Sequence, residues 1–107
     1  MMSLDFEVVE HGEDFVVLAL RGELSERFWT ERIRRVLEEH YVDDGVRVIR
    51  ADLSAVRFMD NHGVATLLAL YKESLARGKR FVVEDAVGQP REKLKVAGVL
   101  RILEGGT

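Results

Sequence analysis

Six side chains with acid–base or ligand chemistry fall where predicted strands end: Glu23, Asp52, Asp60, His62, Glu84 and Asp85. In an open α/β sheet, ligands gather beyond the C-terminal ends of the strands. Oxygen-rich side chains meeting there could hold Mg²⁺, which makes a small metal-dependent enzyme one reading. Solvated loop carboxylates and helix caps account for the same residues with no metal at all. A phosphate-accepting Asp60 would need a neighbouring acidic pair and a lysine, and the sequence does not assemble that set. No glycine-rich phosphate loop follows the apolar run at 15–21, and no Ser/His/Asp order marks a hydrolase. There is no cysteine, which excludes disulfides and thiolate chemistry and suits a reducing compartment. The expectation is a protein with no catalytic residue, no metal and no cofactor.

The segment Ser54 to Gly63 stands out for a different reason. A strand delivers Asp60 and Asn61 to the start of a helix. Both are good N-caps, because a side-chain oxygen can accept from the free N–H groups of the first turn. His62 adds an imidazole, which can take up a proton or a phosphoryl group, although most histidines at such positions are plain polar surface residues. Gly63 inside the first turn costs roughly 0.5–1 kcal/mol against alanine. Its presence implies that something approaches the backbone closely there, another strand or a partner.

The elements that position this segment follow from periodicity. Leu4, Phe6 and Val8 alternate with Asp5 and Glu7, the pattern of an edge strand with one wet face. His11-Gly12-Glu13-Asp14 reads as a hairpin turn in which glycine supplies a positive φ. Val16 to Leu20 is apolar on both faces and reads as an interior strand. Ser25 is the expected N-cap of a helix running to about residue 40, with Trp29, Ile33, Val36, Leu37 and His40 on its apolar stripe. Phe28 lies off that stripe. After the turn Asp43-Asp44-Gly45, a strand runs from Val46 to Leu53 and on to Met59. A second helix spans about Asn61 to Arg77, its stripe made of Val64, Leu67, Leu68, Tyr71 and Leu75, and Gly78 ends it. Phe81 to Val83 is a strand, a short helix opens near Pro90, and Val99 to Leu103 reads as a last strand. The order β-β-α-β-α-β-α-β predicts an α/β fold, a mixed but mostly parallel sheet with an N-terminal hairpin edge and three to four helices.

Composition narrows the function classes. The 107 residues make room for one domain, residues 1–107, and 47% hydrophobic with 33% charged residues is a globular balance. The net charge is −3, and the 16 basic residues are scattered, so nucleic acid is not an expected partner. No secretory pattern opens the chain and no run of 18 apolar residues exists, so the expectation is a cytoplasmic protein without membrane insertion.

Four segments carry a resemblance. Phe58-Met59-Asp60-Asn61-His62-Gly63-Val64 is similar to the Phe-(Ile/Met)-Asp-Ser-(Ser/Thr)-Gly-(aliphatic) signature of the STAS domain family. Gly22-Glu23-Leu24 resembles that family's Gly-Glu-Leu-Asp segment. Asp52-Leu53-Ser54-Ala55-Val56 resembles its Asp-Leu-Ser-x-Val strand end, and Leu94 to Val99 its closing Leu-x-x-x-Gly-Leu. The resemblance covers nearly the whole chain and is to the anti-sigma factor antagonist type. It implies a single STAS-like domain that regulates transcription by partner switching, binding an anti-sigma factor, a serine kinase-like protein or another signalling protein. The implied partner-binding residues are Asp60, Asn61, His62, Gly63, Glu23 and Ser25. A second implied role is an accessory subunit of a stress-signalling scaffold or of a lipid-transport ATPase.

Two positions depart from the pattern. In phosphoregulated members the residue after the signature Asp is the serine that the anti-sigma kinase phosphorylates. Here that position is Asn61, which has no hydroxyl. Ser25 stands where the family often has Asp. The resemblance therefore implies a module fixed in the unphosphorylated form.

Overall fold

Alternating apolar residues make the first strand an edge and the doubly apolar second strand an interior one, and the sheet is built accordingly. In the computed structural model, which describes residues 3–26 and 28–106, β1 (Leu4–His11) runs antiparallel to β2 (Phe15–Leu24). The chain continues through α1 (Trp29–Tyr41), β3 (Val48–Met59), α2 (Asn61–Ala76), β4 (Arg80–Glu84), α3 (Gly88–Val96) and α4 (Leu100–Leu103). The sheet order is β1-β2-β3-β4, with β2, β3 and β4 mutually parallel. This is the mixed, mostly parallel sheet with a hairpin edge that the sequence predicts.

Register explains the two faces. Val8, Leu18, Ala51 and Val83 lie in one row across the strands and point into the core, whereas the row Glu7, Ala19, Asp52 and Glu84 faces the other way. The helices pack on the first face and close one core around Leu18, Ile33, Leu37, Ile49, Leu67, Leu70 and Phe81. Trp29 is half-buried against that core, with its ring edge-on to Phe6 at 5.9 Å, while Phe28 is exposed. Polar pairs lock α1 to α2: Thr30 to Thr66 at 2.7 Å and Tyr41 to Ser74 at 3.1 Å. Burial pushes the Tyr41 phenol above its usual range. Lys79 is buried at 6% exposure, and its ammonium donates to the carbonyls of Asp43 and Val46. No helix among the described residues is long and apolar enough to cross a membrane.

Four expectations need correction. Val99 to Leu103 is not a strand: the backbone closes helical bonds from Leu103 N–H to the Val99 carbonyl (3.0 Å) and from Glu104 N–H to that of Leu100 (2.9 Å). Leu103 is buried and Leu100, three residues earlier on the same helical face, packs against the core, while Ile102 between them is 43% exposed. Ser25 is not the N-cap of α1. That helix starts at Trp29, its N-cap position is Phe28 without a side-chain bond, and Ser25 lies buried where β2 ends. Gly12 does not adopt a positive φ. Its N–H donates to the Phe15 carbonyl at 2.8 Å, and the Phe15 ring fills the space a Cβ would need. Leu75 and Val36, placed on apolar stripes by spacing, are 51% and 36% exposed. In α2 the inward position near Leu75 is taken by Ser74, which Tyr41 bonds.

Candidate functional site

Parallel pairing brings the ends of β2 and β3 together, with Glu23 opposite Phe58 and Leu24 opposite Met59. At that edge β3 turns directly into α2. Asp60 is the N-cap, in extended conformation, and its Oδ1 accepts from the N–H groups of His62 (2.8 Å) and Gly63 (3.2 Å). Two of the four donors that a helix start leaves free are thereby satisfied by one carboxylate. Asn61 and His62 occupy the first turn with both side chains exposed. Asp60→Ala is expected to cost about 1 kcal/mol, the usual worth of such a cap, and to lower the melting temperature by about 4–8 °C. Thermal denaturation followed by circular dichroism checks it, and an unchanged melting temperature would remove Asp60 from the cap.

The close approach at Gly63 comes from the protein's own chain. Gly63 is buried, and a Cβ there would strike the Leu24 backbone carbonyl and the Met59 side chain. The missing side chain lets the head of α2 sit on the end of β2, which is how the Glu23–Ser25 segment and the Asp60–Gly63 segment come to share one edge.

Gln89 completes this edge and was not foreseen from sequence. Strand β4 stops at Glu84, opposite Asp52, so Met59 has no strand beside it on that side. Gln89, in the first turn of α3, supplies the missing partner: its amide oxygen accepts from Met59 N–H at 2.8 Å and its amide nitrogen donates to the Met59 carbonyl at 2.7 Å. Both backbone polar groups of the residue before the cap are thus held by one side chain. A lone glutamine has no local signature for such a role, because its partner lies in an element far away in sequence.

The flanks differ in character. Phe58 and Val87 are exposed apolar side chains, at 37% and 55%. Glu23 is half-buried, with Oε2 3.7 Å from the Arg57 guanidinium and without a hydrogen bond among the described residues. Ser25 is buried at 7%, beneath the edge rather than on it. Asp52 and Glu84, two of the carboxylates at the strand ends, are engaged in structural contacts. Asp52 accepts from Ser54 N–H at 2.9 Å, and Glu84 holds Arg50 through two contacts of 3.0 Å. Among the described residues no three His, Asp or Glu side chains form a group that could hold a metal ion. What the edge offers is a neutral amide and an imidazole on the positive end of a helix, with exposed apolar side chains nearby.

A four-stranded mixed sheet, helices on one face and a capped helix head at the C-terminal end of β3 define a small α/β domain. The chain belongs to the STAS domain family, whose profile matches residues 6–106. It is 23% identical over 103 residues to the anti-sigma-B factor antagonist of Listeria monocytogenes, covering 96% of this chain and 89% of that one. Among solved structures it is similar to the anti-sigma factor antagonist SpoIIAA in its unphosphorylated form, with a TM-score of 0.72 and 24% identity over 90% of this chain and 83% of that one. An anti-sigma factor antagonist from Mycobacterium paratuberculosis has a TM-score of 0.70 and 24% identity, over 91% of this chain and 80% of that one.

Proposed function

We propose that this chain is a cytoplasmic, non-enzymatic anti-sigma factor antagonist, one domain over residues 1–107, that binds an anti-sigma factor or serine kinase-like protein through the head of α2. The observation that carries the reading is Asn61: exposed, neutral, and the first residue after a cap that is itself fixed by Asp60, Gly63 and Gln89. Around it, His62, Glu23, Phe58 and Val87 complete the contact surface. Gly63 and Ser25 serve it from below, as the residues that let β2 and α2 meet.

Asn61 also sets the regulation. A phosphate in the first turn of a helix adds about −1.5 to −2 charges. The domain can accommodate that, since the helix start favours anions. A partner surface shaped for a neutral side chain cannot. Asn61 offers no hydroxyl to phosphorylate, so the module stays in its binding form whatever the kinase activity of its partner.

Incubation with the anti-sigma kinase and ATP, read by intact mass, is expected to leave the wild-type protein unmodified, with Ser54 and Ser74 as internal controls. Asn61→Ser should bind the partner as well as wild type and gain one phosphate. A stoichiometric phosphoform of wild type within Asp60–Gly63, for instance on His62, would overturn the regulatory part. Co-purification from native lysate with a stress-signalling scaffold or a transporter ATPase, and not with an anti-sigma factor, would overturn the partner.

A further inference from the structure

The start of α1 carries apolar surface that the core does not cover. Phe28 is 50% exposed and leans on the half-buried Trp29. Arg32, one turn further along α1, lays its exposed guanidinium over both rings, 5.1 Å from the Phe28 centroid and 5.5 Å from that of Trp29. The other arginines of α1 meet carboxylates: Arg34 is 3.0 Å from Glu31 and 4.0 Å from Glu73, and Arg35 is 4.0 Å from Glu31. Arg32 makes no ion pair among the described residues. A guanidinium already held on aromatic faces loses little freedom when a carboxylate docks on it. Phe28 beside it would then be covered by an apolar neighbour of that carboxylate.

The patch lies at the same end of the sheet as Asn61. Helix α1 follows β2 and helix α2 follows β3, two strands that run parallel, and the Thr30–Thr66 bond sets the start of α1 about one turn below that of α2. Phe28 stands five residues beyond Glu23, so the two are at most about 18 Å apart. An interface of ordinary size covers about 800 Å² per partner, roughly 30 Å across, and can span both. We propose that Phe28, Trp29 and Arg32 form a second contact point for the partner protein, one that takes an acidic side chain flanked by an apolar one. This rests on the reading of the α2 head as the partner surface. A nucleic-acid strand does not fit, since the patch holds a single cation on a chain of net charge −3.

The test titrates the purified anti-sigma factor with wild type, Phe28→Ala, Arg32→Gln, Arg32→Lys and Asn61→Asp by calorimetry, at low and at physiological salt, with melting curves alongside. Phe28→Ala and Arg32→Gln should each weaken binding about tenfold or more at an unchanged melting temperature, because both side chains are exposed. Arg32→Gln should also flatten the salt dependence of binding, since it removes the charge. Arg32→Lys keeps the charge without the planar stacking and should fall between the two. Trp29 is the only tryptophan, so the chain labelled with 5-fluorotryptophan gives one fluorine resonance, which should shift when the partner is added. Full affinity in Phe28→Ala and Arg32→Gln, or an unmoved fluorine resonance, while Asn61→Asp weakens binding, would overturn the second contact and leave the α2 head in place. A wild type that does not bind would overturn both. Dimerisation of the free protein that Phe28→Ala abolishes would give the patch to a second copy of the chain and overturn the proposal.

Discussion

Replacing Gly63 with alanine is expected to lower the melting temperature by about 8–16 °C, a large effect for a single methyl group. The new Cβ meets the Leu24 backbone carbonyl, which cannot retreat without breaking the last Leu24–Met59 pair between β2 and β3. Overpacking of this kind costs about 1–3 kcal/mol or more. A clash with backbone belongs at the upper end of that range, and alanine regains up to about 1 kcal/mol through its better helix propensity, so the net loss is about 2 kcal/mol. For a domain near 100 residues each kcal/mol is worth about 4–8 °C. Because the head of α2 must shift to relieve the clash, partner binding should fall alongside. An alanine variant as stable as wild type would mean that the helix head is not seated on β2.

Asn61→Asp should do the opposite to stability and more to affinity. A carboxylate in the first turn of a helix is favourable by roughly 0.3–1 kcal/mol, here trimmed by the neighbouring Asp60 charge, so melting should be unchanged or slightly raised. Against a partner surface shaped for a neutral amide, the same charge is buried without a counter-ion. The expected loss in affinity is about tenfold to several-hundredfold, or ~1.4–3.5 kcal/mol. Falling affinity with holding stability is what distinguishes a contact residue from a cap. Asp60→Ala, which removes a cap, should mainly lose stability.

How much of this was legible in the sequence depended on how local the cause was. The Asp60 cap and helix α2 could be read directly, because cap chemistry and helical spacing act over a few residues. Gly63 announced a close approach, but not that Leu24 was the neighbour, since that depends on the register of β2 against β3. Val99 to Leu103 misled because a short apolar run has no period to measure, and its fate is decided by whether a sheet edge is there to receive it. Ser25 misled because the chain must first leave the end of β2 before α1 can begin. Gln89 was beyond reach for the same reason, because it replaces a strand partner and its own partner lies in another element.

The assignment of Asn61 to the partner interface is tested most directly by titrating wild-type and Asn61→Asp proteins into the same purified anti-sigma factor by calorimetry, with melting curves recorded in the same buffer. The expected result is an affinity at least about tenfold weaker for Asn61→Asp at a melting temperature equal to or slightly above that of wild type. Equal affinities for the two proteins would place the interface away from the head of α2 and contradict the assignment.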